Sequence, residues 1–208
     1  MISGSSHRRL DRPTSSTRPE EDVSAFIRDF QSKYSGSDLT FHSGSYSRAL
    51  EEAKRDLRFL LVYLHCPSHQ DTHSFCREVL ASTDFTNFVT NLNVMVWGCS
   101  VDTPEGYRVS QALRESTYPF LALIVLRQNR MMVVGRVEGV ISGGPQGLCE
   151  RLEAVIRDNE AYIVAASAER AERSINAEIR QEQDAAFQVS SYQFQNALLN
   201  YPYKLQDH

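Results

Sequence analysis

The stretch Leu57–Cys76, LRFLLVYLHCPSHQDTHSFC, carries the densest set of chemically capable side chains in the sequence. Cys66, His69, His73 and Cys76 place four zinc-type ligands within eleven residues, and His65 adds a fifth. His69 and His73 would face the same way on a helix. Thiol chemistry is the other use of such residues. It needs a thiolate of lowered pKa and a resolving cysteine three residues away. Cys66-Pro67-Ser68-His69 has the first cysteine and the proline, but histidine stands where the second cysteine belongs. A Cys66–Cys76 disulfide requires the loop to fold back. The pattern predicts ordinary free thiols, no catalytic residue and no cofactor. A thiol-redox or zinc-binding protein using Cys66, His69, His73 and Cys76 is the alternative.

The surrounding periodicity says what would hold this loop. Phe59–Leu64, FLLVYL, is a near-continuous apolar run that suits a central strand buried on both faces. Ahead of it, Val23, Phe26, Ile27 and Phe30 form one helical stripe, and Ser45–Asp56 reads as a second amphipathic helix. After it come helical spacing at Phe75–Leu80 and Phe85–Leu92, a strand at Val94–Trp97, and a helix opened by Pro104. Phe120–Leu126 and Met131–Val137 flank a polar turn and predict a β-hairpin. Gly143, Gly144 and Pro145 then break the chain before a closing helix with Leu148, Leu152, Val155 and Ile156. That glycine run lacks the Gly-Lys-Ser/Thr ending of a phosphate loop. The order β-α-β-α-β-β-α after two leading helices predicts an α/β, thioredoxin-like mixed sheet with flanking helices.

Four segments are expected: a disordered basic leader at 1–20, a thioredoxin-like domain at 21–160, a charged helix or coiled-coil start at 161–187, and a tail at 188–208 of no assigned structure. In the third segment only Ile175 and Ile179 are strongly apolar within AERAERSINAEIRQEQD. The 208 residues carry net charge −4 and 41% hydrophobic residues, with mean hydropathy −0.39. This balance argues against a general nucleic-acid binder. No apolar run approaches the roughly 20 residues of a membrane-spanning helix, and the N-terminus has no apolar signal segment. Four cysteines do not make a disulfide framework, so the reading is a reducing, cytoplasmic compartment.

Three motifs, the FLLVYL strand, PEGYRVSQALRESTYPFLALIVL and RMMVVGRVEG, resemble the UAS domain of the Fas-associated factor family of UBX-domain proteins. The resemblance covers roughly residues 22–187 and is most specific over 104–126. It implies a thioredoxin-like domain without redox chemistry that binds long-chain unsaturated fatty acids and self-associates. It also implies full-length relatives on the endoplasmic reticulum and lipid droplets, which link ubiquitinated clients to the p97 AAA ATPase in endoplasmic-reticulum-associated degradation. The ubiquitin-binding UBA domain, membrane hairpin and UBX domain of such relatives have no counterpart expected in this sequence. Ubiquitin and p97 are therefore expected as partners only of longer relatives.

A fatty acid needs an apolar surface for its tail and a cation for its carboxylate. Arg108, Arg114, Arg127, Arg130 and Arg136 fall in the most family-like half and are the candidate ligand-binding residues, with solvated surface charges as the plain reading. Trp97, Tyr107 and Phe120 are candidate groove aromatics, or core. The resemblance also implies a cis peptide at Tyr118-Pro119, shaping the rim of a cleft beside the 65–76 loop.

Overall fold

The computed structural model describes residues 18–199. Most of the expected leader, residues 1–17, and the end of the expected tail, 200–208, lie outside the described residues. Of the rest of that leader, Arg18 is the extended N-cap and Pro19 and Glu20 already belong to α1, which runs to Lys33. Proline in the first turn, followed by Glu20, Glu21 and Asp22, suits a helix N-terminus.

Next come α2 (Tyr46–Arg55) and β1 (Leu60–His65). A short α3 (Thr72–Phe75) continues as a π-helical turn over Cys76–Leu80. Then follow α4 (Thr83–Asn91), β2 (Met95–Ser100) and α5 (Pro104–Leu113). The chain closes with β3 (Phe120–Arg127), β4 (Arg130–Glu138) and α6 (Gly144–Leu199). Side-chain caps fix three helix starts: Ser45 accepts from Arg48 N–H, Ser82 from Phe85 N–H, and Thr103 from Gly106 N–H.

The four strands form one sheet in the order β2-β1-β3-β4. β1 and β2 are parallel, with Leu60 opposite Met95 and His65 opposite Ser100. β3 runs antiparallel to both β1 and β4. This is the thioredoxin arrangement: a βαβ half and a β-hairpin half sharing one mixed sheet. The hairpin turns on Gln128 and Asn129, both left-handed at φ 49° and 63°, as a two-residue primed turn demands.

Alternation on β1 and β3 divides the core into two layers. Leu61, Tyr63, Leu121, Leu123 and Val125 point to the side that holds the π-helical turn and Leu148, Leu152 and Ile156 of α6. Leu60, Val62, Leu64, Phe120, Ala122 and Ile124 point to the side that holds Trp97, Val109 and Leu113. The β2 edge is covered. His42 N–H donates to Val96 O at 2.7 Å along it, while on the sheet face a side chain at Gly98 would run into the ring of Phe26 from α1.

The chain separates into two compact units, one ending at Val164 and the other starting at Ala165, rather than at 160. The composition change at 187 does not end α6. Ala-, Glu- and Gln-rich sequence sustains a helix through intrinsic propensity even where it offers no continuous apolar face. No described helix is long and apolar enough to cross a membrane.

Candidate functional site

The 65–76 loop sits where β1 ends and α3 begins, but its candidate ligands do not converge. Cys66 is buried, its Sγ 3.5 Å from Ser68 Oγ, and its carbonyl accepts from the buried Thr72 hydroxyl at 2.7 Å. His69 lies 3.8 Å from Asp71 and packs against the ring of Tyr118. His73 points back to α1, with Nδ1 3.1 Å from Tyr34 Oη. Cys76 is fully buried, its Sγ 3.2 Å from Tyr63 Oη. Among the described residues no group of three or more histidines, cysteines or acids is placed to hold a metal. His69 lies in a bend ahead of α3, so the helical spacing that would align it with His73 does not form, and the two cysteines are both free.

The electrostatics run against a reactive thiol at Cys76, Cys99 and Cys149. Burial pushes the Cys76 thiol up, although hydrogen bonds from Tyr63 and Tyr34 oppose it. Burial pushes Cys99 up to about 12 and Cys149 to about 11. His65, the residue best placed to activate Cys76, has Nδ1 3.8 Å from its sulfur and 3.0 Å from Tyr63 Oη. Burial, with Lys33 nearby, drives His65 down to about 4 and keeps it neutral. One proton arrangement satisfies all three groups: Tyr63 donates to His65, and the Cys76 S–H donates to the Tyr63 oxygen. That arrangement holds the thiol protonated.

The Tyr118-Pro119 peptide is cis. Tyr118 precedes β3 and faces the loop through its contact with His69, while its hydroxyl donates to Glu115 at 3.0 Å. Trp97 and Phe120 are fully buried core residues, and the Trp97 indole donates to Gly44 O at 3.0 Å. Tyr107 is half-buried on α5.

The five candidate arginines separate. Arg108 pairs with the buried Glu105 at 2.5 Å, which also accepts from Tyr46 N–H at 2.9 Å and so ties α5 to α2. Arg127 lies 4.6 Å over the ring of Tyr162. Arg130 is exposed at the hairpin end. Only Arg114 and Arg136 come together: Arg136 Nη1 donates to Arg114 O at 3.4 Å. Arg151 of α6 joins them, donating to Arg136 O at 3.4 Å.

An apolar groove of about 240 Å³ lies elsewhere, between the approach to β1, the α4–β2 turn and the first part of α6. Leu57, Phe59, Leu92, Ile156 and Ile163 line it, together with Asn93, Arg58 and Arg157 and the acids Glu153 and Glu160. Arg58 donates to Asn93 O at 2.9 Å, and Arg157 to Glu153 at 3.4 Å. None of the five candidate arginines lines this groove. Arg58, Arg157 and Arg151 carry no motif signal; only the folding of α6 onto the sheet brings them to these places.

No protein-family model matches the chain. It is 49% identical over 174 residues to FAS-associated factor 2-B of Xenopus laevis, covering 84% of this chain and 38% of that protein. FAS-associated factor 2 of Homo sapiens is 47% identical over the same length, with the same coverage. Plant UBX domain-containing protein 10 of Arabidopsis thaliana is 33% identical over 171 residues, covering 82% of this chain and 35% of that protein. The chain thus spans about two fifths of the length of these relatives. Among solved structures, a thioredoxin from Thermus thermophilus aligns at 25% identity and TM-score 0.48, covering 53% of this chain and 83% of that one. With identity of this order and a thioredoxin-like sheet in place, the chain is a member of the Fas-associated factor 2 family and carries its UAS domain.

Proposed function

We propose that this chain is a non-enzymatic UAS interaction domain that binds long-chain unsaturated fatty acids and self-associates. Its setting is ubiquitin-dependent, endoplasmic-reticulum-associated degradation and lipid-droplet regulation. Ubiquitinated clients and the p97 AAA ATPase are partners of the longer family members, reached through their UBA and UBX regions.

The observation that carries this reading is the groove of Leu57, Phe59, Leu92, Ile156 and Ile163. It joins an apolar wall to two guanidinium groups, Arg58 and Arg157, of which Arg58 rests on a carbonyl and Arg157 on Glu153, with Glu160 also in the lining. An acyl chain lies on the wall and a carboxylate takes a charge-assisted hydrogen bond from the guanidinium groups. The buried thiols with raised pKa support binding over redox work.

Titration calorimetry with monomeric oleate tests it. The expected result is saturable binding, weakened about fivefold or more by Arg157→Ala, the loss expected for one charge-assisted hydrogen bond, and unaffected by Arg108→Ala. Absence of saturable heat would overturn the fatty-acid reading, and equal binding by the Arg157 variant would move the site elsewhere.

A further inference from the structure

β4 has β3 on one side only, so it is an open edge of the sheet. Its nine residues are unusually apolar for an exposed edge: Met132 is 42% and Val133 36% exposed, and Val140 just beyond is 71% exposed. Such an edge invites strand addition unless something blocks it. Two features do so here. Leu123 pairs with Gly135 and Ile124 with Val133, leaving Val134 as a bulge, and a bulge bends and twists an edge away from a would-be partner. In addition, Arg151 occupies the Arg136 carbonyl. An edge guarded against strands yet rich in exposed apolar side chains suits a partner that brings no strand.

The charges around it define that partner. Arg114, Arg130, Arg136 and Arg151 are all exposed here, in a chain of net charge −4. In other parts of the domain several arginines sit on carboxylates, as in Arg48–Glu52, Arg77–Glu78 and Arg108–Glu105, although Arg58 rests on a carbonyl and Arg127 on a ring. At this edge Arg151 rests on a carbonyl, and Arg136 has only a 3.9 Å contact to Glu138. The nearby acids accept from neutral donors, Glu138 from Ser116, Glu115 from Tyr118 and Glu150 from Gln146, and of these Glu138 alone also forms an ion pair with an arginine of this edge.

We propose that the β4 edge is a docking surface for an anionic lipid bilayer. Met132, Val133 and Val140 enter the interfacial region, and Arg114, Arg130, Arg136 and Arg151 meet the headgroup charges. The proposal rests on the reading that this domain works at a lipid surface. It is separate from the groove that would hold a single fatty acid.

Co-sedimentation of the whole chain with phosphatidylcholine vesicles, with and without phosphatidylserine, tests it. Binding is expected only with phosphatidylserine and is lost in high salt as charges are screened. Each arginine removed from the edge weakens it about fivefold, so Arg114→Ala/Arg136→Ala/Arg151→Ala together weaken it on the order of a hundredfold. Val140→Asp also weakens it, whereas Arg77→Ala, which removes the same charge outside the edge, leaves it unchanged. All these positions are exposed, and circular dichroism checks that the variants fold. Absence of vesicle binding overturns the proposal, as does equal binding to neutral vesicles. Wild-type binding by the triple variant also overturns it and would assign the membrane contact to another part of the chain, such as the exposed Phe187–Phe194 run of α6. Oleate binding without vesicle binding would sink the docking surface alone, and vesicle binding without oleate binding would sink the fatty-acid reading alone.

Discussion

The two ends of this sheet's chemistry have exchanged roles relative to a thioredoxin. Where β1 runs into α3, the position at which such a fold keeps its reagent, the thiols are withdrawn: Cys66 and Cys76 are buried and His65 is held neutral, while Pro67, Ser68, Gln70 and His73 stay exposed. At the opposite flank, β4 is open, with exposed methionine, valine and arginine. The difference teaches that a scaffold and its customary site are separable. Here the strand order is kept while the two loop cysteines are withdrawn into the core, and exposed apolar surface lies at an edge and in a groove under α6.

The comparison is most strongly tested by side chains that close the sealed flank. Trp97→Ala is expected to lower stability by about 3–5 kcal/mol in denaturant unfolding, since it empties a fully buried site and leaves Gly44 O without its donor. Next is Glu105→Ala, which strips Tyr46 N–H and Arg108 of their acceptor. A loss of about 1–3 kcal/mol is expected there, because a part-buried donor loses its acceptor. A cost below about 0.5 kcal/mol at either position, the range of ordinary surface changes, would mean that this flank is not closed.

His65 gives the flank a pH signature. Its folded pKa lies at about 4, below the ordinary 6.5. As pH falls from 6.5 toward 4 the unfolded chain takes up a proton that the folded chain refuses. Stability is therefore full above pH 6.5 and declines by about 2–3 kcal/mol by pH 4. Thermal unfolding of wild type against His65→Phe reads this contribution: the variant's curve should be flatter over that window, and parallel curves would show that the imidazole is solvated. The smallest effect belongs to the open flank. Met132→Ser and Val140→Ser should each change stability by no more than about 0.5 kcal/mol, and a larger loss would show that β4 is packed against something.

Much of this fold is readable in the residues because strands buried on both faces leave a continuous apolar trace. FLLVYL and FLALIVL are such traces, and Gln128-Asn129 between two apolar runs marks the hairpin. The π-helical turn at Cys76–Leu80 left no such trace, since its apolar spacing also fits an α-helix. Nor did the bulge at Val134, which depends on how the hairpin registers against β3. The site was least legible. Arginines are spread evenly along the sequence, and whether one finds a carboxylate (Arg108), a ring (Arg127) or another arginine's carbonyl (Arg136) is settled only by tertiary packing. Arg58 and Arg157, from distant parts of the chain, share a groove that no local pattern announces.

The central claim is that this thioredoxin-like domain acts by binding and assembly, without its thiols. Size-exclusion chromatography with light scattering on the reduced chain, with oleate and with stearate as control, tests it most directly. The account predicts growth to large species with oleate alone, unaltered by excess reductant; an unchanged mass with both lipids, or growth that requires oxidised cysteines, would contradict it.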